Sequence, residues 1–292
     1  MEPNQGVPRW LAGLASAFLI AGPFGAFGCH GTVAGSGDTS ADGPVGDPGT
    51  EPGDAPGGDG DDAPAPGDGE TPAPGDDSPA PEGGDVDEFD GSQLDAAWSV
   101  LRPELVDIAV GDGELSITPN QYSVWFNDEA GSLIHKNVTG NFKATTLVRA
   151  RRASNPSEPV GPWYQFGGLL ALDPTTRLHN YVFIVVGDRG EYLAVETKST
   201  RDSDSDVQGP AWPSGDAELR LCRLGSQFLL YKRAVGERAW TEAVRYARPD
   251  LPNTLQVGPL AYAYTSRPDL RASFAWVSIA PAADEGDCTA PD

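Results

Sequence analysis

Paired carboxylates can serve as acid and base when a strand sets them on one face at alternate positions. Glu191 and Glu196 share one strand-like stretch, but alternation sends them to opposite faces, and they read as solvated edge charge. His135 and His179 are the histidines of the strand-rich region. A lone histidine on a strand or loop is more often packed or exposed than a base. No Gly-x-Ser-x-Gly, His-Glu-x-x-His or phosphate-cradling glycine loop occurs. The residues therefore lead to no expectation of catalysis.

Aromatic residues in loops offer a different chemistry, since their faces stack on sugar rings. Two long irregular stretches, residues 153–162 and 201–215, interrupt the strand pattern, and loops are where a β-sandwich builds its sites. Trp163 and Tyr164 end the first and Trp212 lies in the second. The alternative for Trp163, next to Pro162, is a plug at the end of the fold. Trp125 alternates like a core or concave-face residue. Asp202, Asp204 and Asp206 present oxygens at alternate positions, as calcium loops do. However, Val207 and Pro213 stand where an EF-hand needs Gly and Glu, so a solvated loop is the default and no cofactor is expected. Arg149, Arg151 and Arg152 read as a solubilising strand edge.

These residues are positioned by strands. Leu115-Ser116-Ile117 follows a Gly-Asp-Gly turn, and the stretch from Phe142 to Val148 alternates. Residues 181–186 form a near-continuous β-branched and aromatic run, as expected of a strand covered on both sides. Leu219-Arg220-Leu221 and Phe228 to Tyr231 flank Gly225-Ser226 as a hairpin. No amphipathic helix of useful length interrupts them. The expectation is an all-β, two-sheet antiparallel sandwich over residues 86–282, with a C-terminal tail at 283–292.

The order of these pieces carries a resemblance. Glu88-Phe89-Asp90-Gly91 with Leu94 and Trp98 comes first, then Gly113-Glu114-Leu115 and Gln165 to Leu170. Tyr181, Leu219-Arg220-Leu221, Trp240, Val257-Gly258-Pro259-Leu260 and Phe274-Ala275-Trp276 follow. In that order they resemble concanavalin A-like jelly-roll domains, closest to the small modules that accompany bacterial glycoside hydrolases. Some glycanases on that fold use a Glu-x-Asp-x-x-Glu strand, which residues 86–282 lack. The resemblance therefore implies fold rather than activity.

The first third of the chain reads differently. Of the 292 residues, those at 30–88 include 15 Gly, 10 Pro and 16 Asp or Glu, with no Lys or Arg. Such a segment cannot offset its ordering entropy and reads as a disordered tether over residues 29–85. It carries most of the net charge of −23, a balance that excludes a nucleic-acid partner. Ahead of it, residues 1–28 have the layout of a signal peptide, an apolar run ending in small residues before Cys29. Ala26-Phe27-Gly28-Cys29 resembles a bacterial lipobox, which implies a lipid anchor in the membrane; ordinary cleavage after Gly28 is the alternative. Export leaves Cys222 and Cys288 in an oxidising compartment where they can pair.

The sequence thus leads to an exported lipoprotein of the outer membrane or cell surface, periplasmic or secreted location being the alternative. It would display a non-catalytic sandwich that binds polysaccharide or a surface protein. The alternatives are a glycoside hydrolase with an unfamiliar carboxylate pair and a purely structural envelope protein.

Overall fold

A computed structural model of the chain describes residues 84–126, 131–176 and 179–291. The signal, Cys29 and tether assignments lie outside the described residues, apart from the last two tether positions.

The described chain is an antiparallel two-sheet β-sandwich. The first sheet takes β3 (Val106–Gly111), β4 (Glu114–Pro119), β6 (Phe142–Arg151), β11 (Asp216–Leu224), β12 (Gln227–Arg233), β13 (Thr241–Ala247) and β15 (Arg271–Pro281). Their order is β13-β12-β11-β6-β15-β4-β3, and β1 (Asp85–Asp87) also pairs with β15. The second sheet takes β2 (Ser99–Leu101), β5 (Ser132–Thr139), β7 (Gln165–Leu172), β8 (Tyr181–Asp188), β9 (Leu193–Arg201), β10 (Asp204–Gln208) and β14 (Thr254–Ala263). Their order is β10-β9-β8-β7-β14-β5-β2.

Alternation explains why these residues pack as they do. Val182, Ile184 and Val186 of β8 point between the sheets, with Leu169 and Ala171 of β7 and Leu219 and Leu221 of β11. Tyr181, Phe183 and Val185 point to the other side of the second sheet and belong to a separate apolar cluster with Trp125, Phe166 and Tyr262. The continuous apolar text of β8 thus reflects two covered faces.

One expectation is corrected. Residues 201–215 are not a long irregular loop, because β9 and β10 form a hairpin with Arg201 paired to Asp204. Its tip, Asp202-Ser203, sits at φ 48° and 72°, the left-handed pair that a two-residue hairpin turn demands. Polar composition hid a solvent-facing edge strand. The C-terminal segment, described to residue 291, lies against the first sheet. Asp284 accepts a side-chain hydrogen bond from the Asp287 amide and starts a short helix, α1 (Glu285–Thr289), which packs on the outer face of the first sheet. Cys288 of α1 is bonded to Cys222 of β11.

Candidate functional site

The outer face of the second sheet carries the chemistry, and the strand register arranges it in rows. Lys198, Phe183, Leu170 and Gly258 line up across β9, β8, β7 and β14, and Glu196, Val185, Gly168 and Leu260 form the next row. Gly168 keeps the floor low, because a Cβ there would come 2.3 Å from the Ile184 carbonyl. Glu196 is therefore fixed by its strand over an aromatic and glycine floor.

Glu196 is only 3 % exposed. Arg189 approaches its carboxylate at 3.3 Å and the Tyr262 hydroxyl at 3.5 Å. Burial raises the Glu196 pKa above the usual carboxylate range, against the opposing pull of the Lys198 and Arg189 charges. Burial also lowers Lys198 to about 8, while Glu196 favours its charged form. Tyr262 is pushed far up, by burial first and then by the neighbouring carboxylate. A carboxyl that holds its proton beyond the ordinary range is what a general acid requires.

At one end of this face lies an aromatic rim. Trp163 is 56 % exposed, and Tyr122 and Tyr192 are also exposed. The rings of Tyr122 and Tyr164 lie 5.3 and 6.4 Å from that of Tyr264. Trp163 and Tyr164 adopt φ of 84° and 51°, left-handed conformations that cost bulky residues about 1–3 kcal/mol each. Gln165 holds the segment there. Its amide nitrogen donates to the Gly161 and Pro162 carbonyls at 3.3 and 2.9 Å, and its oxygen accepts from the Asp269 amide at 2.8 Å. Tyr192 closes the rim by contact with Arg189, whose guanidinium donates to the tyrosine hydroxyl at 3.3 Å.

Residues 122–126 lie across the same face. The Ser123 amide donates to the Ala263 carbonyl at 2.9 Å. The Trp125 ring is wholly buried and meets Tyr181 edge-on at 5.3 Å. Lys198 Nζ donates to the Trp125 carbonyl at 2.8 Å and lies over the Phe126 and Phe183 rings.

The structure sorts the residues singled out from the sequence. Trp163 and Tyr164 are together on the rim. Trp125 is on the same face, where its ring is wholly buried and covers the sheet. Trp212 is elsewhere: it packs against the core between the sheets, its Nε1 donates to the Asp216 carbonyl at 3.0 Å, and Lys232 lies over its ring. Asp202 is in the hairpin tip, and Asp204 and Asp206 line the exposed edge of β10. The three are not gathered into a metal-holding group, and no such group occurs among the described residues. His179 Nδ1 is 2.9 Å from the Ser203 hydroxyl, and His135 is buried on β5. Arg151 pairs with Asp216, and Arg152 lies 3.1 Å from Glu158, so the supposed solubilising edge is engaged in ion pairs.

Glu191 and Glu196 were misplaced by alternation. Glu191 is in the turn before β9 rather than on the strand, so its face does not follow from Glu196, and Glu196 is buried rather than solvated. The charges of both reach the Tyr164 hydroxyl, whose pKa is raised by burial first and by these carboxylates after it.

No family model and no curated protein matches this chain. Solved structures do match. A functionally unknown protein from Saccharomyces cerevisiae has a TM-score of 0.54 at 13% identity, over 65% of this chain and 98% of that one. A xylan beta-1,4-xylosidase from Bacillus halodurans C-125 has 0.54 at 16%, over 69% of this chain and 40% of that one. Bacteroides ovatus xyloglucan PUL GH43B has 0.53 at 14%, over 70% and 40%. The chain therefore spans about two fifths of these glycoside hydrolase chains. At such identity the likeness is one of fold. The expectation of a non-catalytic binding sandwich is nevertheless corrected: structures sharing this fold carry glycoside hydrolase titles, and the sheet face here holds a buried carboxyl that the sequence reading took for surface charge.

Proposed function

We propose that this protein is a glycoside hydrolase, with Glu196 as its proton-donating carboxyl and Glu191 as the second carboxylate. The observation that carries the reading is the state of Glu196: fully buried, pKa raised, and in contact with Tyr262 and Arg189 on a fixed strand. Protonated, it would deliver its proton to the leaving glycosidic oxygen while the second carboxylate acts at the anomeric carbon, directly or through water. Arg189 and Lys198 would restrain the Glu196 pKa from rising further and stabilise the carboxylate left behind. Trp163 and Tyr164 would stack on sugar rings. Xylan-type polysaccharides are the first substrates to try, because one fold neighbour is a xylan beta-1,4-xylosidase.

The test is release of reducing sugar from xylan, arabinan, xyloglucan and β-glucan. Wild type should turn over at least one of these. Glu196→Gln, which keeps the shape and removes the proton donor, should lose about a hundredfold or more of that rate. The rate should fall as pH rises through the elevated Glu196 pKa, since the acid form is then lost. No turnover on any of the four, or full activity in Glu196→Gln, would remove the assignment.

The same proposal places the enzyme outside the cytoplasm, tethered through Cys29. The Cys222–Cys288 bridge supports an oxidising compartment. Incorporation of labelled palmitate that disappears in Cys29→Ala would bear out the anchor, and an unlabelled mature protein would discard it.

A further inference from the structure

We propose that residues 122–126 hold the place of a linear glycan chain, which enters over the exposed aromatic rim and displaces Trp125 from the outer face of the second sheet. This rests on the reading of Glu196 given above, and names the shape of its substrate and how the site opens.

The cover over this face leaves its polar groups poorly matched. An ammonium has three N–H donors. Lys198 is buried, and among the described residues it makes one hydrogen bond, to the Trp125 carbonyl at 2.8 Å, with its ammonium otherwise facing the Phe126 and Phe183 rings. The Trp125 Nε1 is itself buried without a hydrogen-bond partner. A settled interior rarely leaves such donors open, each costing about 1–3 kcal/mol. Sugar hydroxyls accept and donate, and would give the Lys198 ammonium oxygen acceptors where it now faces aromatic rings.

The shape of the site fits the same occupant. Under the Trp125 ring the floor is aromatic: Tyr181 lies 5.3 Å away, and Phe183 stacks on Tyr181 at 6.1 Å. Phe166 and Tyr262 stack beside them at 5.6 Å. The Trp125 ring, set edge-on to Tyr181, fills the space over this floor that a pyranose would take. The cover is also continuous with the rim, since Tyr122 at its start touches Tyr264, and Tyr264 touches Tyr164. A chain of several sugars could therefore hold Trp163 and Tyr164 before the cover moves. A monosaccharide could not, which is why the proposed substrate is a chain.

The experiment follows hydrogen exchange and tryptophan fluorescence of the full-length protein with xylohexaose, cellohexaose or xylose. One hexasaccharide should speed exchange of residues 122–126 and shift the emission to the red as Trp125 meets water, while xylose does neither. Trp125→Ala removes the competing side chain, so half-saturation should fall about tenfold, the penalty of a mostly closed site being lifted. Trp163→Ala should raise it. A hexasaccharide that binds and leaves residues 122–126 protected would overturn the proposal, even if Trp125→Ala fails to fold. Hydrolysis by wild type with that segment still protected would overturn the displacement and leave the enzyme standing. Displacement without hydrolysis would do the reverse, and binding of neither hexasaccharide would overturn the displacement, leaving the enzyme to the polysaccharide test above.

Discussion

Each sheet of the sandwich hides its outer face beneath chain from elsewhere, and the two covers are held in different ways. Over the first sheet, α1 is tied by the Cys222–Cys288 bond. Arg220, wholly buried beneath it, donates to the Cys288 and Ala290 carbonyls at 2.9 Å each and to the Thr145 hydroxyl at 3.0 Å. Its guanidinium and that of Arg233 each lie 4.1 Å from the Trp240 ring, and Arg233 is paired with Glu218. Over the second sheet, residues 122–126 carry no disulfide, and among the described residues the buried ammonium beneath them has one hydrogen bond. Both faces bury cations. On the first sheet the guanidinium fork finds several oxygen acceptors and the cover is bonded in place; on the second, a point charge has one oxygen acceptor and two aromatic rings, and the cover is the one we propose a ligand replaces.

Removing the bond over the first sheet should have the largest effect. Cys222→Ala with Cys288→Ala opens a loop of 66 residues, a loss of about 4 kcal/mol by the chain-entropy account, measurable in urea unfolding. Stability unchanged by that pair would erase the contrast between the covers. The next effect is a pH dependence owed to Lys198. Its pKa falls from 10.5 unfolded to about 8 folded, so below pH 8 both states hold the proton and the full penalty of a buried charge is present. Between pH 8 and 10.5 the unfolded chain binds more protons, and stability should rise with pH by up to about 3 kcal/mol. Lys198→Met should flatten that rise, as seen in urea midpoints taken across the range. Trp125→Ala should cost less than the roughly 3–5 kcal/mol of a core tryptophan truncation, because its indole N–H is already unmatched. A full core-sized loss would make the two covers alike. Trp163→Ala should stay within about 0.5 kcal/mol of wild type, its side chain being largely in water.

Much of the fold was legible because burial on a strand leaves a period of two. The run at 181–186 and the hairpin around Gly225-Ser226 announced themselves in this way. The site was legible only in part. Trp163 and Tyr164 stood out as aromatics ending a loop. Glu196 did not, because a charged residue on alternating strand text looks the same whether its face meets water or a distant segment. Arg220 and Lys198 were hidden for the same reason. The β10 hairpin was missed because an edge strand facing solvent carries loop-like composition.

Sequence alone set the apolar strands and their inward faces, since each follows from neighbours within a few residues. Only the tertiary structure decided what lies over the outward faces: α1 on one sheet and Trp125 on the other, brought in across dozens of residues. Desolvation depends on everything packed around a group, so the raised carboxyl of Glu196 and the lowered ammonium of Lys198 exist only once both sheets and their covers are in place.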